Sequence, residues 1–599
     1  MTHSAELDAP SSRTVVDTEG QATLTSVAAD WLGRFDRVVA TADFEALSSM
    51  FASDCWWRDM LCVNSDFTTA HGMDQIRLKY AERLQPAAFR SVALDRAIPV
   101  DLTNGKLTAF LRFETAVARG RGVLRLVEEA GEWRAWTLLT VMDELIGHEE
   151  RRSSIHDATK DTYNRASRTR ETWPQLRERQ RAFNDTEPAV VVVGAGHAGL
   201  NIAARLSHLG VPTLVVDGTG RVGDVWRNRY NNLSLHDPQW YGQMPYLPFP
   251  DNWPVFASKE MIADWLEAYA WILQLNVWTE SWVQSADFDE DAGAWTVRLS
   301  RNGEDRELHP RHVVFATGVF GGKPDIPPVP GVDIFEGLAV HSSAFDGGGN
   351  LAGQKMLVVG SGASGHDVAQ DAYERGAEVT MLQRGPTYVI SSGYGIPAMH
   401  EALYSETSPP IDQADLLNLS FPWQLYLELQ PPITRKLAEI DRELLDGLRE
   451  VGFELSEGVN GSGLLGLGIG RGGGFYIDKG CSRLIADRSI ALRHGEIARF
   501  TPTGVVYSDG TEAPADIVVF ATGYTNMRDT IRPIVGDEVA DELTTVWGFD
   551  EQGEIKGVFR PSGHPRLWFM AGGFQQSRWG SKFLALQIKA AEEGLSANK

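Results

Sequence analysis

Two short glycine-rich turns constrain this chain more than any other feature. The first, Gly194, Ala195, Gly196, His197, Ala198 and Gly199, follows the apolar run Pro188–Val193 and opens an amphipathic stretch, LNIAARLSHLG. A second apolar run, VPTLVVD, ends at Asp217. Strand, glycine turn, helix and strand in this order make a β-α-β unit. The three glycines do different things. The first permits the tight turn, the second lets a diphosphate approach the backbone, and the third lets helix and strand pack closely. The helix N-terminus then presents free N–H groups to the phosphates. Asp217 stands where an acid is expected to bind a ribose hydroxyl.

The second turn, Gly360, Ser361, Gly362, Ala363, Ser364 and Gly365, repeats the pattern after KMLVV. Its following strand ends in Gln383 and Arg384 rather than in an acid. An acid would repel a 2′-phosphate, whereas a guanidinium pairs with it in fork geometry, so NADPH is favoured and NADH remains possible. A solvated strand-end arginine is the alternative reading of Arg384. Ser364 is followed at once by Gly365, so no GxSxG nucleophile elbow is present. The sequence VVFATG occurs twice, at 313–318 and 518–523, as an apolar strand ending in Ala-Thr-Gly. Thr317, Gly318, Thr522 and Gly523 join the cofactor-binding candidates.

With 599 residues the chain is too long for a single core. A net charge of −24 argues against nucleic-acid binding, which needs a basic footprint. Cys55, Cys62 and Cys481 form no CxxC pair, which excludes a dithiol centre and a cysteine-based zinc site; no metal is expected. The N-terminus is polar, and no apolar run approaches membrane-span length. A cytoplasmic protein without membrane contact is therefore expected. Residues 1–20 read as a disordered tail, and 21–150 as an α+β domain. In that domain Val27, Trp31, Phe35 and Val38 mark one helix, Met73, Ile76, Tyr80 and Leu84 another, and an antiparallel meander turns at Ala130–Gly131. Asp54, Asp59 and His71 make no recognisable triad. Residues 151–186 read as a helical linker with a solvated charged face. The remainder divides into 187–335, then 336–500 with an irregular, Gly-rich insertion at 391–478 read as a mobile substrate cover, then 501–599.

Further motifs name a family. Phe335, Gly337, His341 and Phe345 match FxGxxxHxxx(Y/F). That motif identifies flavin-containing and N-hydroxylating monooxygenases. The stretch GDVWRNRYNNLSLHDPQWYGQMPYLPFP resembles the matching segment of the auxin-forming flavin monooxygenases. Residues 187 to 590 thus resemble class B flavin monooxygenases. The first 150 residues, with WWRD at 56–59, resemble a SnoaL-like cone, as in the extended type II flavin-containing monooxygenases. The fold implied is α/β: two Rossmann-like dinucleotide-binding domains, an FAD domain with an inserted NADPH domain, preceded by an α+β SnoaL-like cone. The chain departs from typical Baeyer–Villiger enzymes in ending the motif at Phe345, in the shifted spacing of Gly223, Trp226 and Tyr230, and in carrying Asp217 for the more usual Glu.

The resemblance implies FAD, reduction by NADPH, and oxygen insertion through a C4a-(hydro)peroxyflavin. Baeyer–Villiger and sulfur or nitrogen oxygenation are both implied. An NAD(P)H oxidase or flavin reductase, and a decarboxylating monooxygenase of 2-oxo acids, are the alternatives. O₂ and a small organic molecule are the partners, and a homodimer is expected. His236, Asp237 and His341 are the catalytic candidates, with His236 expected near flavin C4a and a backbone-bonded structural histidine as the competing reading. His341 is also readable as an organiser of the domain junction. Trp226, Leu235, His236, Val283, Gln575 and Gln576 complete the cofactor candidates. Gln239 and Trp240 read as flavin neighbours or core. Gly572 and Gly573 open a last helix whose N-terminus is expected beside the flavin pyrimidine.

Overall fold

The structure is a computed structural model, and it describes residues 18–151, 171–230, 233–319, 322–345 and 349–595. The expected tail, 1–20, lies almost wholly outside the described residues, as does 152–170 of the linker. No described helix is long and apolar enough to cross a membrane.

Residues 18–145 form three helices against a seven-stranded sheet. The first helix, Thr18–Thr41, buries Leu24, Ala28, Trp31, Leu32, Phe35 and Val39, one face at helical spacing. The meander 106–114, 118–129 and 132–145 is antiparallel, and 132–145 then pairs in parallel with 51–60. Ala130 and Gly131 both take positive φ (54° and 80°), as a two-residue hairpin turn requires. Trp31, Phe35, Phe51, Trp57 and Tyr80 fill the space between sheet and helices.

Two five-stranded parallel sheets follow, built on one plan. In the first, the order is 277–278, 213–216, 190–193, 312–315, 567–569. In the second it is 491–494, 378–383, 355–359, 517–520, 338–341. Position for position these are the same sheet, and each carries a three-stranded antiparallel sheet before its fourth strand: 281–308 in the first and 497–514 in the second. They differ in the origin of the fifth strand. The first sheet takes it from the chain's end, the second from the chain just before its fingerprint. The second unit is therefore inserted in the first, and the chain crosses between them twice. The crossings are tied to each other: Asp325 N–H donates to Gly523 O (3.0 Å), Thr525 N–H to Lys323 O (2.9 Å) and Thr522 Oγ1 to Asp325 O (2.5 Å).

Two expectations change. Residues 497–520 pair within the second unit, so the return to the first falls after the second Ala-Thr-Gly turn, not at 501; a sheet partner, invisible in local sequence, decides this. The 391–478 insertion is not irregular. It holds helices at 395–400, 411–419, 423–428, 430–440, 442–450 and 463–468, closed by parallel pairing of 388–391 with 475–478. Pro410 and Pro422 precede the second and third of these helices, so the prolines that break up the pattern are start signals. In the linker, Trp173–Ala182 is helical and is held to the first sheet's edge by the Trp278 Nε1–H bond to Arg181 O (2.7 Å).

The N-terminal domain docks through buried charge. Arg58 forks onto Glu554 (Nε–Oε1 2.7 Å, Nη2–Oε2 2.5 Å), and each side chain is 1% exposed. Thr69 Oγ1 donates to the same carboxylate (2.7 Å). Arg560 forks onto Asp66 in the opposite sense, C-terminal cation to N-terminal anion (2.8 and 2.6 Å). Removing one partner strands the other in a dry interface. Glu554→Ala is expected to lower unfolding free energy by about 3–5 kcal/mol, and Arg58→Met with Glu554→Leu by much less, as read by urea melts. Equal losses in both variants would refute the account.

Candidate functional site

In the first fingerprint, Val190–Val193 runs into Gly194, at φ 109°. A Cβ on Gly194 would stand 2.6 Å from Ala316 O, and one on Gly199 would stand 1.9 Å from Gly194 O. A Cβ on Gly196 would meet nothing within 4 Å. The outer glycines are thus required by the protein itself, whereas the space over Gly196 is left open. Gly196 caps the helix His197–His208 with extended backbone. The second fingerprint copies this geometry. Gly360, at φ 115°, faces Ala521 O at 2.6 Å, Gly365 faces Gly360 O at 2.1 Å, and Gly362 has only Phe475 O at 3.9 Å. In both, the carbonyl that excludes a side chain belongs to the alanine of an Ala-Thr-Gly turn. Buried Thr317 Oγ1 has no hydrogen-bond partner among the described residues, and Gly318 and Gly523 turn at φ 86° and 87°. Open glycines at helix N-termini beside an orphaned hydroxyl fit a bound diphosphate.

Asp217 serves the loop itself. Its Oδ2 accepts from Ala195 N–H (2.6 Å), and its Oδ1 accepts from Thr219 N–H (2.8 Å) and Oγ1 (2.6 Å). The shorter side chain is drawn back onto the glycine turn. Ala198 is buried in the helix, and Val283 is partly buried against the core. Its neighbour Trp282, 67% exposed, lies flat against Gly218, next to Asp217. Sequence reading missed this indole, because its contact with Gly218 lies outside the fingerprint. In the second unit, Ser361 Oγ bonds Thr387 Oγ1 (2.8 Å) and Ser364 is half-buried. The Gln383 carboxamide is engaged at both ends by the Glu454 main chain (2.9 Å each); Arg384 beside it is 74% exposed.

His341, expected as a catalytic candidate or an organiser of the domain junction, lies at the second crossing. Its Nε2–H donates to Gly523 O (3.0 Å), and its Nδ1 accepts from Ser343 N–H (3.2 Å). Both ring nitrogens are thus engaged at the second crossing. Gln239 is buried, with Nε2–H on Trp253 O.

The last helix, Phe574–Glu592, starts at Gly573 and meets the first fingerprint helix near both N-termini. His197 Nε2–H donates to Gly572 O (2.9 Å), its ring stacks on Phe574 (4.3 Å), and Asn201 bonds Ser577 Oγ (3.0 Å). Burial lowers the His197 pKa, so the ring is neutral. Trp226 stands 6.1 Å from Phe574. Gln575 Nε2 donates to Tyr404 Oη (3.1 Å) and Gln576 Nε2 to Tyr241 Oη (2.9 Å). Tyr404 in turn donates to Asp415 (3.0 Å), which receives both forks of buried Arg578 (2.8 and 2.7 Å).

His236 follows Leu235, which is pinned by its N–H to Ala257 O (2.8 Å). Its Nε2 lies 3.7 Å from Asp367 Oδ2, which accepts a 2.5 Å bond from Tyr230. Asp367 sits on the second fingerprint helix, so this contact joins the two nucleotide units. Burial lowers the His236 pKa, against the pull of Asp367. Lys479, on the same carboxylate's field, is lowered by desolvation too, and its Nζ has no hydrogen bond or ion pair among the described residues. Asp237 lies 3.6 Å from His400 Nε2.

Residues 191–394 match the family model described as pyridine nucleotide-disulphide oxidoreductase. All three cysteines are free and buried, so no disulfide accompanies the match. The rice (Oryza sativa subsp. japonica) indole-3-pyruvate monooxygenase YUCCA1 is 32% identical over 339 residues, covering 56% of this chain and 77% of the relative. The chain belongs to the class B flavin monooxygenases. It is an enzyme of the flavin-containing monooxygenase type and uses FAD, NAD(P)H and O₂. The Arabidopsis thaliana protein described as a probable indole-3-pyruvate monooxygenase, YUCCA3, is 37% identical over 206 residues, 33% of this chain and 47% of that one. An oxidized steroid monooxygenase bound to NADP shares the fold, with TM-score 0.50 and 20% identity over 68% of this chain and 86% of that one.

The open glycines separate fold from ligand. Gly196→Ala is expected to keep the apoprotein's melting temperature and to weaken FAD by at least about tenfold, as read by flavin fluorescence titration. Gly362→Ala is expected to keep FAD and to weaken the nicotinamide dinucleotide instead. Loss of both ligands in either variant would contradict the assignment.

Proposed function

We propose that the first cradle holds FAD, the second holds NADPH with Arg384 on the 2′-phosphate, and the enzyme oxidatively decarboxylates a 2-oxo acid. One molecule of 2-oxo acid, O₂, NADPH and a proton would give the one-carbon-shorter acid, CO₂, water and NADP⁺. The observation that carries the family reading is the 32% identity, over 77% of its length, to a relative whose name gives a 2-oxo acid as substrate. The Lys479 ammonium supports the substrate class, because it lies within electrostatic reach of His236 and Asp367, has no hydrogen bond or ion pair among the described residues, and suits a substrate carboxylate.

Bound FAD would supply hydride acceptance and oxygen activation. The chain's own residues would do the rest. Gly194, Gly196 and Gly199 admit the diphosphate. The N-terminus of Phe574–Glu592 directs partial positive charge toward the flavin. Tyr241, Tyr404, Gln575 and Gln576 form a bonded wall that excludes water. His236, neutral at pH 7, holds or releases a proton at Nε2. The N-terminal domain reads as a SnoaL-like cone whose interior is filled by Trp31, Phe35, Phe51, Trp57 and Tyr80; Asp59 within it accepts from Val63 and Asn64 N–H groups and Thr140 Oγ1, a structural role.

Two measurements test this. With indole-3-pyruvate or phenylpyruvate, NADPH consumption is expected to match CO₂ release mole for mole. Oxygenated product from ketones or sulfides, with no CO₂ from 2-oxo acids, would overturn the substrate class, and peroxide alone would make the chain an oxidase. The second concerns pH. Asp367 and Asp237 stabilise protonated His236, whereas burial and Lys479 oppose it, with the Tyr230 hydroxyl on Asp367. Asp367→Asn removes a stabilising charge, so the His236 pKa falls further. The acid limb of kcat/KM is expected to move to lower pH; an unmoved limb would show that His236 does not titrate in turnover.

A further inference from the structure

We infer that the N-terminal domain is a brace for the active-site wall, with Arg125 as a positioning residue that acts through the helix Ile411–Leu419. This rests on reading the wall of Tyr241, Tyr404, Gln575 and Gln576 as part of the flavin site. The helix has two working ends. Its middle carries Asp415, which fixes both Arg578 and Tyr404 and, through them, the first turn of the last helix. Arg578 Nη1 extends the hold to Tyr241 O (2.8 Å). Its termini are gripped by the N-terminal domain. Arg121 pairs with Asp412 (3.1 Å), Arg58 Nη1 donates to Leu419 O (2.9 Å), and Arg125 Nη1 donates to Ser420 Oγ (2.6 Å) with its guanidinium 3.8 Å over the Phe421 ring.

Arg125 carries the argument furthest. It is 6% exposed, its described hydrogen bonds run to the hydroxyls of Thr137 and Ser420, and desolvation pushes its pKa down to about 9. Simple adhesion is already provided by Arg58 with Glu554 and Arg560 with Asp66, each fully paired. A buried cation without a paired carboxylate costs stability. Its placement is accounted for by what it touches: the turn that ends the Asp415 helix. Support for that helix from behind is incomplete. A cavity of about 330 Å³ separates it from Val141 and Met142 of the N-terminal domain and from Trp579 and Phe583 of the last helix. Ala414, Leu416 and Leu419 are buried on the helix's packed face, so the polar attachments act where the cavity leaves packing incomplete.

The test compares Arg125→Leu, which leaves no carboxylate unpaired, with Arg125→Lys and Ser420→Ala, all as FAD-loaded full-length enzyme. Hydrogen–deuterium exchange is expected to rise about tenfold, the weight of one charged hydrogen bond, over 411–421 and over 574–578. Exchange over 190–216 and FAD content should stay at wild-type values. Flavin reduction by NADPH is expected to keep its rate, while product formed per NADPH falls several-fold and peroxide rises. Arg125→Lys should recover part of both changes. Faster exchange confined to 411–421, with 574–578 and coupling unchanged, would reduce the contact to adhesion and overturn the brace. If the wild-type enzyme oxygenates no substrate, the functional reading fails, yet the exchange pattern still decides the brace by itself.

Discussion

The architecture depends on a steric exclusion made twice. Ala316 O and Ala521 O each approach the first glycine of a fingerprint so closely that a methyl group would lie 2.6 Å away. Each alanine follows the fourth strand of its sheet and each glycine follows the third, in the spatial order given above; the two strands are neighbours. This contact seats the strand ends against the turn and leaves the second glycine facing open space. One carbonyl thus couples the sheet's register to the shape of the phosphate site. The two units share this device because they share a plan, down to the antiparallel sheet inserted before the fourth strand.

What distinguishes the units is the chain that joins them. The crossings bond to each other and to His341, and a second bridge runs from Tyr230 and His236 to Asp367. Both bridges are polar and pass close to the cradles. The two units are thereby joined, beside the cradles, by named polar contacts. The N-terminal domain adds a different kind of contact, with bidentate forks, one of them fully buried, that give direction as well as attraction. Its own interior is packed with aromatic side chains, which leaves its arginine-bearing strands as the surface with something to hold.

Legibility in the sequence followed the range of the interaction. The fingerprints, the strands before them, the hairpin at Ala130–Gly131 and the helices at Trp31 and Tyr80 were readable, because each is set by neighbours a few residues apart. The short helices between 395 and 468 were not, because glycine and proline interrupt their periodicity while tertiary packing holds them. Asp217 was found by its position, but its bonds back to Ala195 and Thr219 depend on the length of an aspartate in a particular loop. Trp282 gave no signal at all.

By itself the sequence determined that two dinucleotide cradles are present, their order along the chain, and the sign of the charge beside each. Those are properties of turns and of helix N-termini, which local geometry dictates. Only the tertiary structure decided that His341 meets Gly523, that 497–520 belongs to the second sheet, and that Asp367 meets Tyr230 across 137 residues and Asp415 meets Arg578 across 163. Such pairings arise from which surfaces the folded sheets bring together, and no spacing along the chain encodes that distance.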